Sequence, residues 1–407
     1  MSQSVFEDQL LSPAFFSDPY PTYHRLRSEA PVYWSDALGG WVLTRYEDVV
    51  SILRRPELYS STGRVSYLLR QLPEAARREV ELLERHYTLG LAHSDPPDHT
   101  RLRTLLSKAF TSRLIEARQP RIQALVDQLL DRVEGSGRMD IIHDLAYPLP
   151  ATIIAEIIGA PAEDIDLFRQ WAIGINRLFE SGGRVTPASV AAAQSSLVEM
   201  REYIGRLIIE RRRRPGDDVL SHLVAAEQQA DRLSVAELVS TAVTLFVAGH
   251  ETTTHLIGNG MLALLRQPDQ LQKLKENPAL ISSAVEEMLR YDTAVQRGWR
   301  IAAGDIEIDG CRIKKGELVL PMLGAANRDP AQFPEPDRFD ICRQDNKHLG
   351  FGYGIHFCLG APLARLETPI AINTLLRRFP NLRLETENLT WRQDIALRGL
   401  IELPVIF

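Results

Sequence analysis

Ten residues hold the most specific chemistry in the chain: Phe351-Gly352-Tyr353-Gly354-Ile355-His356-Phe357-Cys358-Leu359-Gly360. One cysteine sits among three glycines and three aromatic rings, and an apolar, helix-forming run follows from Ala361 to Phe379. A cysteine that binds a metal as thiolate needs positive potential, which a helix N-terminus supplies. It needs backbone N–H donors close to the sulfur, which calls for residues without Cβ at tight turns. It also needs a dry wall, which Phe351, Phe357 and Leu359 offer. The plain reading of a lone cysteine is a small buried hydrophobe. The density of glycine and aromatic residues around Cys358 argues against it.

A second cluster lies at the centre of a long apolar stretch: Ala248-Gly249-His250-Glu251-Thr252-Thr253-Thr254-His255. A zinc hydrolase would place two histidines four residues apart on one helix face. His250 and His255 are five apart, so that reading fails on spacing. Glycine and three threonines are weak helix formers, and threonine hydroxyls can bond back to carbonyls and loosen a helix. Further on, Glu287-x-x-Arg290 is followed by the proline-rich run Phe333-Pro334-Glu335-Pro336-Asp337-Arg338-Phe339.

Phe-x-x-Gly-x-His-x-Cys-x-Gly resembles the haem-binding loop of the cytochrome P450 family, of the bacterial soluble type. The resemblance extends from the early β-hairpin to Gly399-Leu400. It implies a single domain over residues 1–407, mainly α with a minor β lobe. Haem would lie between the long central helix and the cysteine-loop helix. Cys358 would be the axial thiolate of haem b, and a thiolate favours O–O cleavage. Ala248 and Gly249 would border the haem, and Phe351, Gly352 and Gly360 would shape the loop beneath it. Glu251 and Thr252 match the family's acid–alcohol pair, which relays protons to reduced dioxygen. His99, Arg103, Arg300 and His356 match the propionate partners. Glu287, Arg290 and Arg338 match a buried structural network. Leu91, Thr244, Val247, Ala248, Val295, Arg297 and Leu397 match substrate-facing positions. Arg297 is the polar exception, open to a substrate carboxylate or to a protein acid.

The implied function is a monooxygenase acting on a hydrophobic small molecule with O2, by hydroxylation or epoxidation. About fifty residues follow Cys358, so no fused reductase is expected. Electrons would come from a ferredoxin and its NAD(P)H-dependent reductase, docking on a basic patch drawn from Arg113, Arg343, Lys347 and Arg365. A peroxide-driven peroxygenase and a non-catalytic haem-binding protein are the rival readings. The presence of Glu251-Thr252 favours dioxygen over peroxide.

The elements that must position these groups are mostly helical. Asp18 to Glu29 reads as a first helix with Pro19 in its first turn. Val32–Trp34 and Trp41–Thr44 flank Gly39-Gly40 as a hairpin. Residues 57–96 are expected to be mobile and to cover something. A helix opens at Asp95-Pro96-Pro97-Asp98 and runs to about Phe110, and further helices follow at about 113–134, 148–159, 163–180, 187–213 and 218–228. The longest runs from Ser234, where Ser234 and Glu237 form a capping box, to Arg266. Strand-like residues begin after Thr293. Pro369 should kink or break the helix after the cysteine loop near Glu367.

The bulk properties agree with a globular enzyme. The chain has 407 residues, 44% hydrophobic and 25% charged, with a net charge of −6. That balance gives no reason to expect nucleic acid. Three cysteines without a C-x-x-C pair point to a reducing compartment without disulfides, and Cys311 and Cys342 read as free thiols. The first residues carry Glu7 and Asp8 and no long apolar run, so a cytoplasmic, membrane-free, monomeric protein is expected.

Overall fold

The computed structural model describes residues 3–180, 185–228 and 233–407. Its axis is a helix of 31 residues, Val235–Leu265. The expected capping box starts it: Ser234 Oγ accepts from Glu237 N–H, and Glu237 accepts from Ser234 N–H. Most of its residues are buried, as its apolar circumference requires. Among the helices that pack along it are Pro148–Ile158, Pro187–Arg213, Ile281–Tyr291 and Ala361–Arg378.

The helix from Ala361 follows the cysteine loop directly and continues through Pro369 to Arg378. The expected break therefore does not form. Glu367, Thr368, Ala371 and Ile372 flank the proline and are all buried. Packing on both sides holds the helix together against the lost hydrogen bond, as tertiary contacts often do against propensity.

The β part is minor. Val32–Ser35 and Gly40–Leu43 form the expected antiparallel hairpin. They join Leu318–Pro321, Arg300–Ala302 and Tyr59–Ser60 in a five-stranded sheet. Val319 pairs with both Trp41 and Arg300, so this sheet fixes Arg300 relative to the N-terminal lobe. A three-stranded sheet ties Arg138–Asp140 to Pro404–Ile406 and Arg383–Leu384. The region 57–96 is more ordered than its composition indicates. It holds Tyr59–Ser60 and helices at Arg64–Leu69, Glu74–Glu79 and Glu81–Thr88. It does cover something, since Arg64, Leu91 and Ala92 line the main cavity.

One stretch, Ile141–Ile158, is apolar and long enough to cross a membrane by composition, and 72% of it is buried inside the fold. That is the pattern of a core helix.

The Glu287 network differs from expectation in one member. Arg290 donates to both Glu287 oxygens at 2.8 Å, and both residues are fully buried. The third partner is Arg343, at 3.1 Å from each oxygen. Arg338 instead faces Glu335 at the surface, and only its carbonyl enters the network, accepting from Arg290 and Arg343. The meander folds back after Arg338, so the side chain five residues later reaches inward. Arg343 is accordingly spent inside the fold and unavailable to a docking patch.

Candidate active site

Cys358 lies at the entrance of the Ala361–Arg378 helix. Its N–H donates to the Phe351 carbonyl at 2.9 Å, closing the loop. Gly352 and Gly354 have φ of +70° and +71°. A Cβ on Gly354 would stand 2.5 Å from the Leu53 carbonyl oxygen, so the position admits glycine alone. Burial pushes the Cys358 thiol up. The N–H groups of Gly360 and Ala361, with Arg103 and Arg365, pull it the other way. Burial wins while the sulfur is bare. A metal cation at Sγ would add the missing charge and hold the thiolate.

Opposite the cysteine, the long helix shows the cavity one face. Thr241, Thr244, Leu245, Ala248, Gly249, Thr252, Thr253 and Leu256 line it, at helical spacing. Val247 falls off this face, half-buried against the outside of the core, so its expected place in the pocket is not found; Leu245 lines the cavity instead. Gly249 borders the cavity, yet its missing Cβ answers to packing behind the helix. A Cβ there would meet Ile154 at 2.7 Å. The helix is unbroken across this turn, and Thr252 Oγ1 donates to the Ala248 carbonyl at 3.2 Å.

Glu251 points away from the cavity. It is 7% exposed and ion-paired to Arg392 at 2.5 Å, with Asn176 Nδ2 donating to it and His255 Nε2 at 4.0 Å. Burial raises its pKa, but Arg392 and the two histidines outweigh that and hold it below the ordinary value. Asn176 lines the cavity itself and so joins Glu251 to it. Arg392 and Asn176 had no signal in the local sequence, because both come from remote segments.

The four expected anion partners converge. His99 and His356 have ring centroids 4.4 Å apart. Arg103 donates to the Phe357 carbonyl and Arg300 to the Trp299 carbonyl. Burial, then Arg300, His99 and Arg103, drive His356 down to about 3. Burial lowers Arg300 to about 10. His99 is buried, off the cavity wall, and its Nε2 has no partner. The carboxylate that acts on His99 and Arg300 is Asp95, already engaged by Ser60 and Ser61. Two arginines, with two neutral imidazoles beside them as hydrogen-bonding groups, fit a group with acidic arms.

A cavity of about 510 Å³ joins Cys358, the long-helix face, Arg103, Arg300 and His356. The expected residues Leu91, Thr244, Ala248, Val295, Arg297 and Leu397 all line it. Among the described residues, no group of three or more His, Cys, Asp or Glu side chains is arranged to hold a metal ion.

Residues 65–395 match the family model described as Cytochrome P450. The chain belongs to the cytochrome P450 family. It is 43% identical to Cytochrome P450 CYP107DY1 of Priestia megaterium, over 100% of both chains. It is 41% identical to Cytochrome P450 monooxygenase PikC of Streptomyces venezuelae, over 99% of this chain and 94% of that one. P450BioI, solved with a hexadec-9Z-enoic acid ligated acyl carrier protein, superposes with a TM-score of 0.89. It is 41% identical, with 97% of this chain and 100% of that chain covered. CYP267B1, a myxobacterial P450 solved with myristic acid, gives a TM-score of 0.88 at 42% identity, with 98% of each chain covered. The protein is thus an oxidoreductase of the P450 monooxygenase family, and the P450 fold expected from the sequence is the one observed.

Proposed function

We propose that this P450 binds haem b through Cys358 and inserts one atom of O2 into a hydrophobic small molecule, by hydroxylation or epoxidation. The observation that carries the reading is Cys358 itself: a thiol at a helix N-terminus, under two backbone N–H groups, facing an apolar cavity. His99, Arg103, Arg300 and His356 would hold the propionates. Bound there, the haem supplies the redox chemistry that activates dioxygen.

The chain supplies orientation and protons. Thr252 places a hydroxyl on the cavity wall, and Glu251 stays ionised behind the helix through Arg392. Asn176, on the cavity wall and donating to Glu251, would tie the ionised carboxylate to the cavity, where Thr252 offers the hydroxyl through which a proton would be delivered. The apolar wall, Leu91, Leu245, Leu256, Val295 and Leu397 among it, excludes water and favours an apolar substrate body. The fatty acyl ligands bound to two solved relatives support a long aliphatic body as one option. Electrons would come from a ferredoxin and its reductase, with the exposed Arg113 and Lys347 as docking candidates. Arg365 is tied to Glu286 by two hydrogen bonds and is the weaker candidate. The location is proposed as cytoplasmic, and the protein as a monomer.

The test is the optical spectrum of the reduced, carbon monoxide-treated protein, for the natural chain and for Cys358→Ser. The expected result is the red-shifted Soret band of thiolate-ligated haem, lost in the variant. A normal band in Cys358→Ser would refute the ligand assignment, and no haem band in either protein would refute the whole reading.

A further inference from the structure

The cavity wall carries two cations beyond those assigned to the haem. Arg297 is 2% exposed, and its Nε and Nη1 have no hydrogen-bond partner. Its Nη2 donates to the Phe179 carbonyl at 3.2 Å. Arg64, in the short helix Arg64–Leu69, has a buried Nε without a partner as well. Each guanidinium carbon lies 4.0 Å from the Trp299 ring centroid, so one indole serves both. Arg64 also lies 4.5 Å over the Phe179 ring. Both arginines line the cavity.

Among the described residues no carboxylate forms an ion pair with either. The acid that acts on Arg297 is Asp394, also on the cavity wall. Its Oδ1 accepts from the N–H groups of Ala396 and Leu397. Two like charges side by side on an apolar wall are costly unless an anion joins them. Cation–π contact offsets only part of the burial of a second unpaired charge. With Asp394 ionised, the group of three retains one net positive charge. A single carboxylate neutralises it, and the planar guanidinium fork matches that group.

We propose that Arg64 and Arg297, stacked on Trp299, form an anion subsite that receives the carboxylate of an amphipathic acid substrate. The apolar wall takes the rest of the molecule. The subsite rests on the monooxygenase reading for its purpose and not for its binding.

The test uses the full-length purified protein with dodecanoate and methyl dodecanoate as probes. Affinities come from calorimetry, and spin-state titration of the haem band accompanies them. The protein as it stands should bind the acid at least tenfold more tightly than the ester. Arg64→Gln and Arg297→Gln should each weaken the acid about 10- to 100-fold, the loss of one charge-assisted hydrogen bond. Ester affinity and haem content should stay at their original values. Arg64 is the less buried of the two, so its variant keeps the test alive if Arg297→Gln folds poorly. Equal affinity for acid and ester, no binding of the acid, or unchanged acid affinity in both variants overturns the subsite. Loss of haem with acid preference retained assigns the pair to the propionates and overturns it too. A protein without the thiolate band fails the functional reading, while the calorimetric comparison still decides the subsite.

Discussion

Replacing Arg343 by Ala should destabilise the protein far more than replacing Arg338, although both lie in the same meander. Arg343 donates to both oxygens of Glu287 and to the carbonyls of Pro334, Glu335 and Arg338. Its side chain is 9% exposed and that of Glu287 fully buried. Removing it takes the donor from the Pro334 carbonyl, leaves the Glu335 and Arg338 carbonyls with one partner each, the Arg338 N–H and Arg290, and leaves Glu287 with Arg290 as its remaining cation. Breaking a buried pair from one side costs ~3–5 kcal/mol. Glu287 keeps Arg290, Asn346 and the Asp340 N–H, so the lower end, about 3 kcal/mol, applies. Arg338 is 54% exposed and pairs with Glu335, itself 70% exposed. An exposed pair contributes ~0–1 kcal/mol, and the Arg338 carbonyl that the network uses survives the substitution. Urea unfolding of the two variants, followed by far-ultraviolet circular dichroism at neutral pH, measures the difference. Equal losses in the two variants, or a greater loss in Arg338→Ala, would refute the assignment of Arg343 as third member.

Two further outcomes follow from the long helix. Arg392→Met should leave Glu251 buried without its main counter-charge and raise its pKa above the ordinary carboxylate value. In the natural chain the lowered pKa gives stability that is present above the ordinary carboxylate pKa and lost as pH falls through the folded value. The variant should therefore be about 3 kcal/mol less stable at pH 7, with the deficit shrinking as pH falls through the variant's raised pKa and on through the ordinary value. Urea midpoints between pH 4 and 7 check this, and a deficit independent of pH would count against it. Ala248→Leu should push a side chain into the cavity and weaken a neutral hydrophobic ligand more than tenfold in a spin-state titration. Val247→Ala, one residue away but off the cavity wall, should leave that affinity unchanged.

What could be read from the chain and what could not divides along the distance over which each feature is encoded. The long helix was legible because its cap, its apolar run and its weak central turn are all local. The Cys358 loop was legible because Gly352, Gly354 and Gly360 stand within a few residues of the sulfur they serve. Spacing on the helix also separates Val247 from Ala248, and only the direction of the cavity face had to come from the fold. The Arg338–Arg343 exchange was not legible. Irregular chain has no period, so five residues decide nothing about which arginine turns inward. The same holds for Glu251: its neighbours Asn176 and Arg392 lie 75 residues before it and far along the chain after it. Arg64 is the extreme case. It begins a six-residue helix in a stretch that read as a mobile cover. Its meaning appears only when Trp299, from the opposite end of the chain, comes to lie against it. The chemistry of oxygen activation is written in short motifs, whereas the features that would select a substrate are assembled from segments that share no local pattern. That division explains why the family was legible from one loop while the charge on the cavity wall required the fold.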